Sequence, residues 1–74
     1  MYFDRITIDP KVMGGNPCIR DTRIPVSLIL KLLAKKETFE NIIDDYPELT
    51  EYDIVACLNY AVWSVSETII QVSA

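Results

Sequence analysis

The 74-residue chain has no histidine and only two cysteines, Cys18 and Cys57. It therefore lacks the side chain that most often carries acid–base catalysis near neutral pH and the commonest ligand of zinc. The two cysteines are 39 residues apart, unlike the short spacing of metal-binding pairs, and a cytosolic domain keeps its thiols reduced. We interpret both as small core residues in preference to a disulfide, and we expect no enzymatic activity, cofactor or metal.

Long apolar segments are also lacking. The longest run of consecutive apolar residues is five, Ile54 to Leu58, whereas a membrane-spanning helix needs about 18 or more. The first ten residues, MYFDRITIDP, contain three charges where a secretory signal has an unbroken apolar segment. The sequence therefore predicts a cytoplasmic protein that does not associate with a membrane.

Basic residues are absent from the second half of the chain. All seven lysines and arginines lie within residues 1–36, together with three acids, whereas residues 37–74 contain eight acids and no base. The first part attracts anions and the second repels them. The two parts either face different partners or attract each other within one domain, and the sequence leaves both alternatives open.

The N-terminal residues have the pattern of a β-hairpin. Residues 5–8 alternate polar and apolar side chains, which is typical of a half-buried strand, and Pro10 ends the pattern. Residues 14–17 (GGNP) are the strongest turn signal in the chain, and residues 18–20 can pair back on the first strand. We expect a ribbon that packs on the helices or on a second copy of itself, because two strands alone are marginally stable in water.

Three helices are predicted after the hairpin. Apolar residues at helical spacing predict a first helix over 25–36, with Pro25 in its first turn, and a second helix between an N-cap at Thr38 and Pro47. Thr50 and Asp53 resemble a capping box, and no glycine or proline follows, so the third helix is expected to run from Glu51 to about Val72.

These elements make one domain, residues 1–74, because a chain this short cannot hold two cores. It is divided into a hairpin unit (1–24), two helices and a turn (25–50) and a long C-terminal helix (51–74). The predicted fold is mainly α: a three-helix, helix-turn-helix-like bundle with an N-terminal β-hairpin. A domain of this size buries only about 60 % of its unfolded surface, so we also expect association with a partner.

The third helix has two apolar faces when its residues are placed at helical spacing. We assign the broader face to the domain's own core; it contains Ile54, Val55, Leu58, Ala61, Val62, Val65, Ile69 and Val72. The other face follows a heptad-like spacing, and we predict that it binds a second copy of the chain or another protein through Tyr52, Ala56, Trp63 and Ile70. The alternative is that the hairpin of the same chain covers this second face.

The runs RITIDPKVMGGNPCIRDTRIPVSLILKLL and NIIDDYPELTEYDIVACLNYA resemble the bacterial family called domain of unknown function 433 over about residues 5–61. The resemblance implies a homeodomain-like three-helix fold with an N-terminal ribbon. It also implies the antitoxin half of a toxin–antitoxin pair, whose partner resembles a PIN-type ribonuclease. It carries over no catalytic residue. Asp21 and Lys36 stand at positions where members of the family commonly have glycine.

DNA binding through the third helix is not expected, because its start carries Glu51 and Asp53, three further acids precede it, and phosphates are bound by basic side chains. The candidates for nucleic-acid contact are in the basic N-terminal unit, since a β-ribbon can enter the major groove: Arg5, Lys11, Arg20 and Arg23. The alternative is that Arg20 and Arg23 pair with Asp9 or Asp21 and fix the hairpin loop.

Two further patterns suggest chemistry but are better explained otherwise. Asp44, Asp45 and Glu48 are carboxylates that point to different sides of a short helix, so we interpret them as a solvated acidic face and not as a Mg²⁺ site. Gly14-Gly15 lacks the spacing and the lysine of a phosphate-binding loop and is interpreted as a turn. The sequence therefore predicts an antitoxin-like adaptor or, alternatively, a stand-alone interaction module with no nucleic-acid role.

Overall fold

Three helices follow a short two-stranded ribbon in the computed structural model, which describes residues 4–11 and 13–72, with side chains described for 4–11 and 14–66. The mainly α fold with an N-terminal hairpin is confirmed. In chain order the elements are β1 (Ile6–Thr7), a 3₁₀ turn (Met13–Gly15), β2 (Cys18–Ile19), α1 (Val26–Ala34), α2 (Phe39–Asp45) and α3 (Glu51–Val72).

The ribbon is antiparallel and pairs Ile6 with Ile19 and Thr7 with Cys18. Its connection contains Gly14 and Gly15 at φ of 65° and 86°, which residues with a Cβ rarely adopt. The two adjacent glycines therefore allow the chain to turn back, as the GGNP pattern predicts, although each strand has only two residues.

A tight turn connects β2 to α1. The backbone N–H and the hydroxyl of Thr22 both donate to the carbonyl of Ile19, at 3.1 and 2.7 Å. Asp21 has a φ of 64° at the third position of this turn, which corresponds to a type II turn and favours glycine. Asp21 thus adopts the left-handed conformation where members of the resembled family commonly have glycine.

Helix α1 is shorter than the predicted 25–36. Pro25 is the N-cap, with an extended ψ of 145°, and the last helical residue is Ala34. Lys36 has a φ of 70° and donates its N–H to the carbonyl of Leu33, while Glu37 donates to that of Leu32. This pair of hydrogen bonds is a Schellman motif with a lysine at the position that glycine usually occupies.

The predicted caps of the other two helices are confirmed. The hydroxyl of Thr38 accepts the N–H of Asn41 at 3.0 Å at the start of α2. At the start of α3, Thr50 and Asp53 form a reciprocal capping box: the Asp53 carboxylate accepts the N–H of Thr50 at 3.0 Å, and the Thr50 hydroxyl accepts the N–H of Asp53 at 3.3 Å.

Both strands and all three helices contribute to one core. Helix α3 packs against α1, α2 and β1. Ala56 and Cys57 of α3 are buried together with residues of the ribbon and of the other helices. The buried apolar residues are Ile6, Cys18, Ile19, Ile24, Val26, Ile29, Ile42, Leu49, Ile54, Ala56 and Cys57. Within the described part of the chain, no helix combines the length and apolarity that a membrane span requires.

Candidate protein-binding surface

An ion pair joins the ribbon to the start of α3. The Nε–H of Arg5 donates to Oδ1 of Asp53 at 2.5 Å; the Asp53 side chain is 1 % exposed and that of Arg5 is 30 % exposed. The other carboxylate oxygen accepts the Thr50 N–H of the capping box. Each oxygen of this buried carboxylate therefore has a hydrogen-bond donor, which is the condition for burying a charge at tolerable cost.

The electrostatics of this pair keep both groups ionised. Burial by itself raises the pKa of Asp53, but hydrogen bonds from Arg5 and Thr50 and the positive charge of Arg5 outweigh it and hold the pKa below its usual value. The pKa of Arg5 is raised, chiefly by its hydrogen bond to Asp53. A pair that stays charged near neutral pH neither accepts nor donates a proton there, so its role is structural.

The four basic residues predicted to contact nucleic acid have different surroundings. Arg5 is engaged with Asp53. The Arg20 side chain is exposed and donates its Nε–H to the backbone carbonyl of Asp4, so it fixes the ribbon through a backbone acceptor. Lys11 and Arg23 are exposed. The contact of Arg20 thus lies within the N-terminal unit, and that of Arg5 joins this unit to α3.

Helix α3 is rotated about its axis relative to the sequence-based assignment. Four of the residues expected to cover the core are exposed: Val55 by 40 %, Leu58 by 37 %, Val62 by 64 % and Val65 by 54 %. Ile54, Cys57 and Ala61 lie on the core side as predicted, but this side also contains Asp53, Ala56 and the half-buried Tyr60. The side chains of Ile69 and Val72 lie outside the described residues. We call the four exposed residues Val55, Leu58, Val62 and Val65 the outer stripe of α3.

The residues predicted to bind a partner are divided by this rotation. Tyr52 is 58 % exposed, but Ala56 is 9 % exposed and belongs to the core, which corrects its assignment to an outward face. Trp63 is half-buried, with its ring centroid 5.8 Å from that of Tyr60. The side chain of Ile70 lies outside the described residues. Ala56 belongs to the core cluster that α3 forms with the ribbon, α1 and α2.

A groove of about 270 Å³ runs between the hairpin loop, α1 and α3. Its apolar lining is supplied by all three parts of the chain, and its rim carries the polar side chains of Asn16, Ser27 and Ser64. The apolar lining residues are Pro17, Val26, Leu30, Tyr60, Ala61 and Val65. An apolar depression with a polar rim can accept a large apolar side chain from a partner protein.

The fold and these surfaces can be compared with known proteins. The family model described as "Protein of unknown function (DUF433)" matches residues 6–61, which is most of the chain. The chain belongs to the DUF433 family. Its fold is similar to the crystal structure of a DUF433 member from Anabaena variabilis, with a TM-score of 0.80, 28 % identity, and coverage of 96 % of this chain and 70 % of that one. A comparison with curated proteins finds no match.

The DUF433 match includes the start of α3 but not all of its outer stripe. Asp53, Val55 and Leu58 lie inside the matched range, whereas Val62 and Val65 follow it. The similarity to the Anabaena protein covers nearly the whole chain. The fold of this DUF433 domain therefore extends past the part that the family model describes.

Nothing among the described residues of this DUF433 domain has the geometry of a metal centre, since they contain no group of three or more potential ligands. Cys18 and Cys57 are free and buried, as their interpretation as core residues predicts. Burial, and after it the charge of Asp53, raises the pKa of Cys57 to about 12. The thiol of Cys57 is therefore protonated and enclosed, which is the opposite of a nucleophilic cysteine.

The sequence alone does not indicate the ion pair of this DUF433 domain. The sequence pattern favours Arg5 as a nucleic-acid contact and Asp53 only as part of a helix cap. A signal for the pair exists, because Asp53 follows Thr50 at capping-box spacing and is itself followed by uncharged residues as far as Glu67. An acid at the edge of such a segment is a candidate for burial, and a basic partner is one of the groups that can keep a buried carboxylate ionised.

Proposed function

We propose that this DUF433 domain is a non-enzymatic interaction module that acts as an antitoxin-like subunit by binding a partner protein. The observation that supports the proposal is the apolar groove between the hairpin loop, α1 and α3. Its three walls come from different parts of the chain, so the groove exists only in the folded domain. The family resemblance suggests a partner similar to a PIN-type ribonuclease, which the domain would inhibit by covering it.

The groove is suited to a protein anchor. Its volume of about 270 Å³ is slightly below that of typical small-molecule pockets, which begin at about 300 Å³, and it opens to the surface beside exposed residues of α3. Leu30, Tyr60 and Ala61 provide apolar contact, while Ser27 and Ser64 at the rim can hydrogen-bond to a partner's backbone. A single large apolar side chain inserted here, with polar contacts around it, would have the arrangement of a protein–protein hot spot.

The test is copurification with the product of the neighbouring gene. The full-length chain and that product are co-expressed, and both growth and complex formation are measured. We expect the chain to relieve toxicity, and we expect Ser64→Glu to weaken the complex by about tenfold or more, because a carboxylate is placed at the rim of an apolar site. The matched control is Asn59→Glu, which is also at an exposed position of the same helix but outside the groove.

Two outcomes would contradict this proposal. One is a neighbouring product that neither inhibits growth nor copurifies with the chain. The other is equal binding by the Ser64→Glu and Asn59→Glu variants, which would remove the groove from the interface. In the first case the domain would be a stand-alone interaction module.

DNA contact through the N-terminal unit is a second candidate function, supported by the exposure of Lys11, Arg20 and Arg23. Arg5 is less suited to it because its guanidinium is engaged with the buried Asp53. An electrophoretic shift on the DNA upstream of the gene tests this candidate. We expect Arg23→Ala to weaken a shift and Lys35→Ala, an exposed basic change on α1, to leave it unaltered; absence of any shift at low salt would exclude the role.

A further inference from the structure

A second cavity, of about 300 Å³, lies beside the ribbon, and we call it the polar pocket. Its lining comes from the ribbon, the hairpin loop and the turn that follows β2. The polar and charged residues of this lining are Thr7, Asp9, Asn16, Arg20, Asp21 and Thr22. Two carboxylates and one guanidinium give the pocket a net negative charge, so it attracts cations and repels anions.

The carboxylates of the polar pocket are not neutralised by the arginine beside them. Among the residues that the structure describes, no basic side chain forms an ion pair with Asp9 or Asp21, and Arg20 donates its Nε–H to the backbone carbonyl of Asp4 instead. One oxygen of Asp9 accepts the N–H of Lys11 at 2.9 Å, which leaves its second oxygen available. Both acids therefore have acceptor capacity that a bound group can use.

The acceptors of the polar pocket suit a guanidinium better than an ammonium ion. Asp9, Asp21, the amide of Asn16 and the hydroxyl of Thr7 are separate acceptors around one cavity. A guanidinium has five N–H donors in a plane and can bond to more than one carboxylate at once, whereas an ammonium ion is a compact charge that is more strongly hydrated. The group expected in this pocket is therefore the head of an arginine.

The polar pocket adjoins the apolar groove. Asn16, in the hairpin loop, lines both cavities, so they lie on either side of one residue. A partner segment that inserts an apolar side chain into the groove can therefore place a neighbouring side chain in the polar pocket. The net charge of −4 of the whole chain also favours association with a basic surface.

We propose that the polar pocket binds an arginine side chain of the same partner protein that inserts an apolar side chain into the groove. This inference rests on the proposed function and adds the chemistry of the partner, which carries a basic residue close to its apolar anchor. Asp9 and Asp21 are the residues that recognise the arginine, and the groove supplies the apolar contact beside it.

The first test uses the full-length chain alone and N-acetyl-arginine amide as the probe, followed by NMR. We expect saturable shifts of the amide signals of Thr7, Asn16 and Asp21, with a dissociation constant of the order of 10 mM, and no saturable shifts with the neutral N-acetyl-glutamine amide. The double variant Asp9→Asn/Asp21→Asn should weaken probe binding by about fivefold or more, because both charges are removed.

This double variant preserves the local structure. An asparagine at position 9 still offers an oxygen to the N–H of Lys11, and asparagine at position 21 tolerates the left-handed conformation as aspartate does. The matched control is Asp44→Asn/Asp45→Asn, which removes the same two charges at exposed positions of α2 outside the pocket. The control should bind the probe as the wild type does.

The second test measures the complex with the product of the neighbouring gene. We expect Asp9→Asn/Asp21→Asn to raise its dissociation constant by about tenfold, since charge-assisted hydrogen bonds are lost, and the control by less than about twofold. Equal weakening by both double variants would mean that only the overall charge matters and would overturn the inference, while leaving the proposed function intact.

The remaining outcomes separate the two proposals. Saturable probe binding without any complex would support the guanidinium site and reject only the antitoxin role. Probe binding together with a complex that the pocket variant does not weaken would assign the pocket to a free guanidinium compound, and so overturn the inference. A probe that gives no saturable shifts would overturn it as well.

Discussion

The guanidinium of Arg5 lies 2.5 Å from the carboxylate of Asp53, and this contact connects the N-terminal ribbon to the first turn of the longest helix. The same carboxylate also caps that helix through Thr50. One side chain therefore stabilises both a helix start and a tertiary contact. Each contribution can be measured by a separate substitution, because an amide retains the cap and removes the ion pair.

Substitution Asp53→Asn is expected to lower the free energy of unfolding by about 2 kcal/mol, since it removes a charge-assisted hydrogen bond but keeps an acceptor for the Thr50 N–H. Urea denaturation provides the measurement. Asp44→Asn, at an exposed position of α2, is the control and is expected to change stability by less than about 0.5 kcal/mol. Similar losses of stability in both variants would show that the ion pair contributes no more to stability than an exposed carboxylate does.

The pH dependence of stability follows from the lowered pKa of Asp53. The unfolded chain, in which this carboxyl has its ordinary pKa of about 4, takes up the proton first as the pH falls. The contribution of the ion pair is therefore complete above about pH 4 and is lost as the pH drops through the lower folded value. The stability difference between wild type and Asp53→Asn should be constant near neutral pH and shrink in acid; a difference independent of pH would refute this.

Lys36→Gly is expected to stabilise the domain by about 1 kcal/mol, because lysine at a φ of 70° is strained and glycine is not. The neighbouring Lys35 has a φ of −84°, so Lys35→Gly relieves no backbone strain and only increases the conformational entropy of the unfolded chain. Thermal unfolding of the two variants should therefore show shifts of opposite sign. A lower melting temperature for Lys36→Gly would mean that its side chain makes a contact worth more than the strain.

Alkylation of the native chain by iodoacetamide should be very slow at both cysteines, since Cys18 is 2 % and Cys57 0 % exposed. For Cys57 the raised pKa of about 12 removes nearly all thiolate at mildly alkaline pH. Mass spectrometry of the labelled chain provides the readout, with denatured protein and a Ser27→Cys variant, which places a thiol at an exposed position, as reactive references. Rapid native labelling of Cys57 would show that α3 opens from the core.

Local signals predicted the local structure well. Thr38 and Thr50 are recognisable as caps because a helix start has unpaired N–H groups that only a few side chains can satisfy. The two glycines and Asp21 mark turns for an equally local reason. The predicted ends of α1 are less accurate. Pro25 is compatible with either the N-cap or the first turn, and the C-terminal end of the helix has Lys36 where a glycine would have marked it.

The orientation of α3 could not be predicted because its apolar residues occupy more than one side. Hydrophobic spacing alone favours Val55 and Leu58 as core residues, yet the domain buries Asp53 and Ala56 instead. The position of the ribbon decides this choice, since Arg5 needs a carboxylate that faces it. The orientation of α3 therefore depends on a contact between residues 48 positions apart in the sequence. The spacing of apolar residues within one helix contains no information about such a contact.

That separation also bears on the order of folding. To form, the contact between Arg5 and Asp53 must close a loop containing most of the chain, and its acceptor is held in place only after the first turn of α3 exists. We expect the helices to assemble early and the ribbon to dock late. The N-terminal strand should then show the fastest amide exchange of the paired backbone, and a nascent chain would complete its fold only after the start of α3 has left the ribosome.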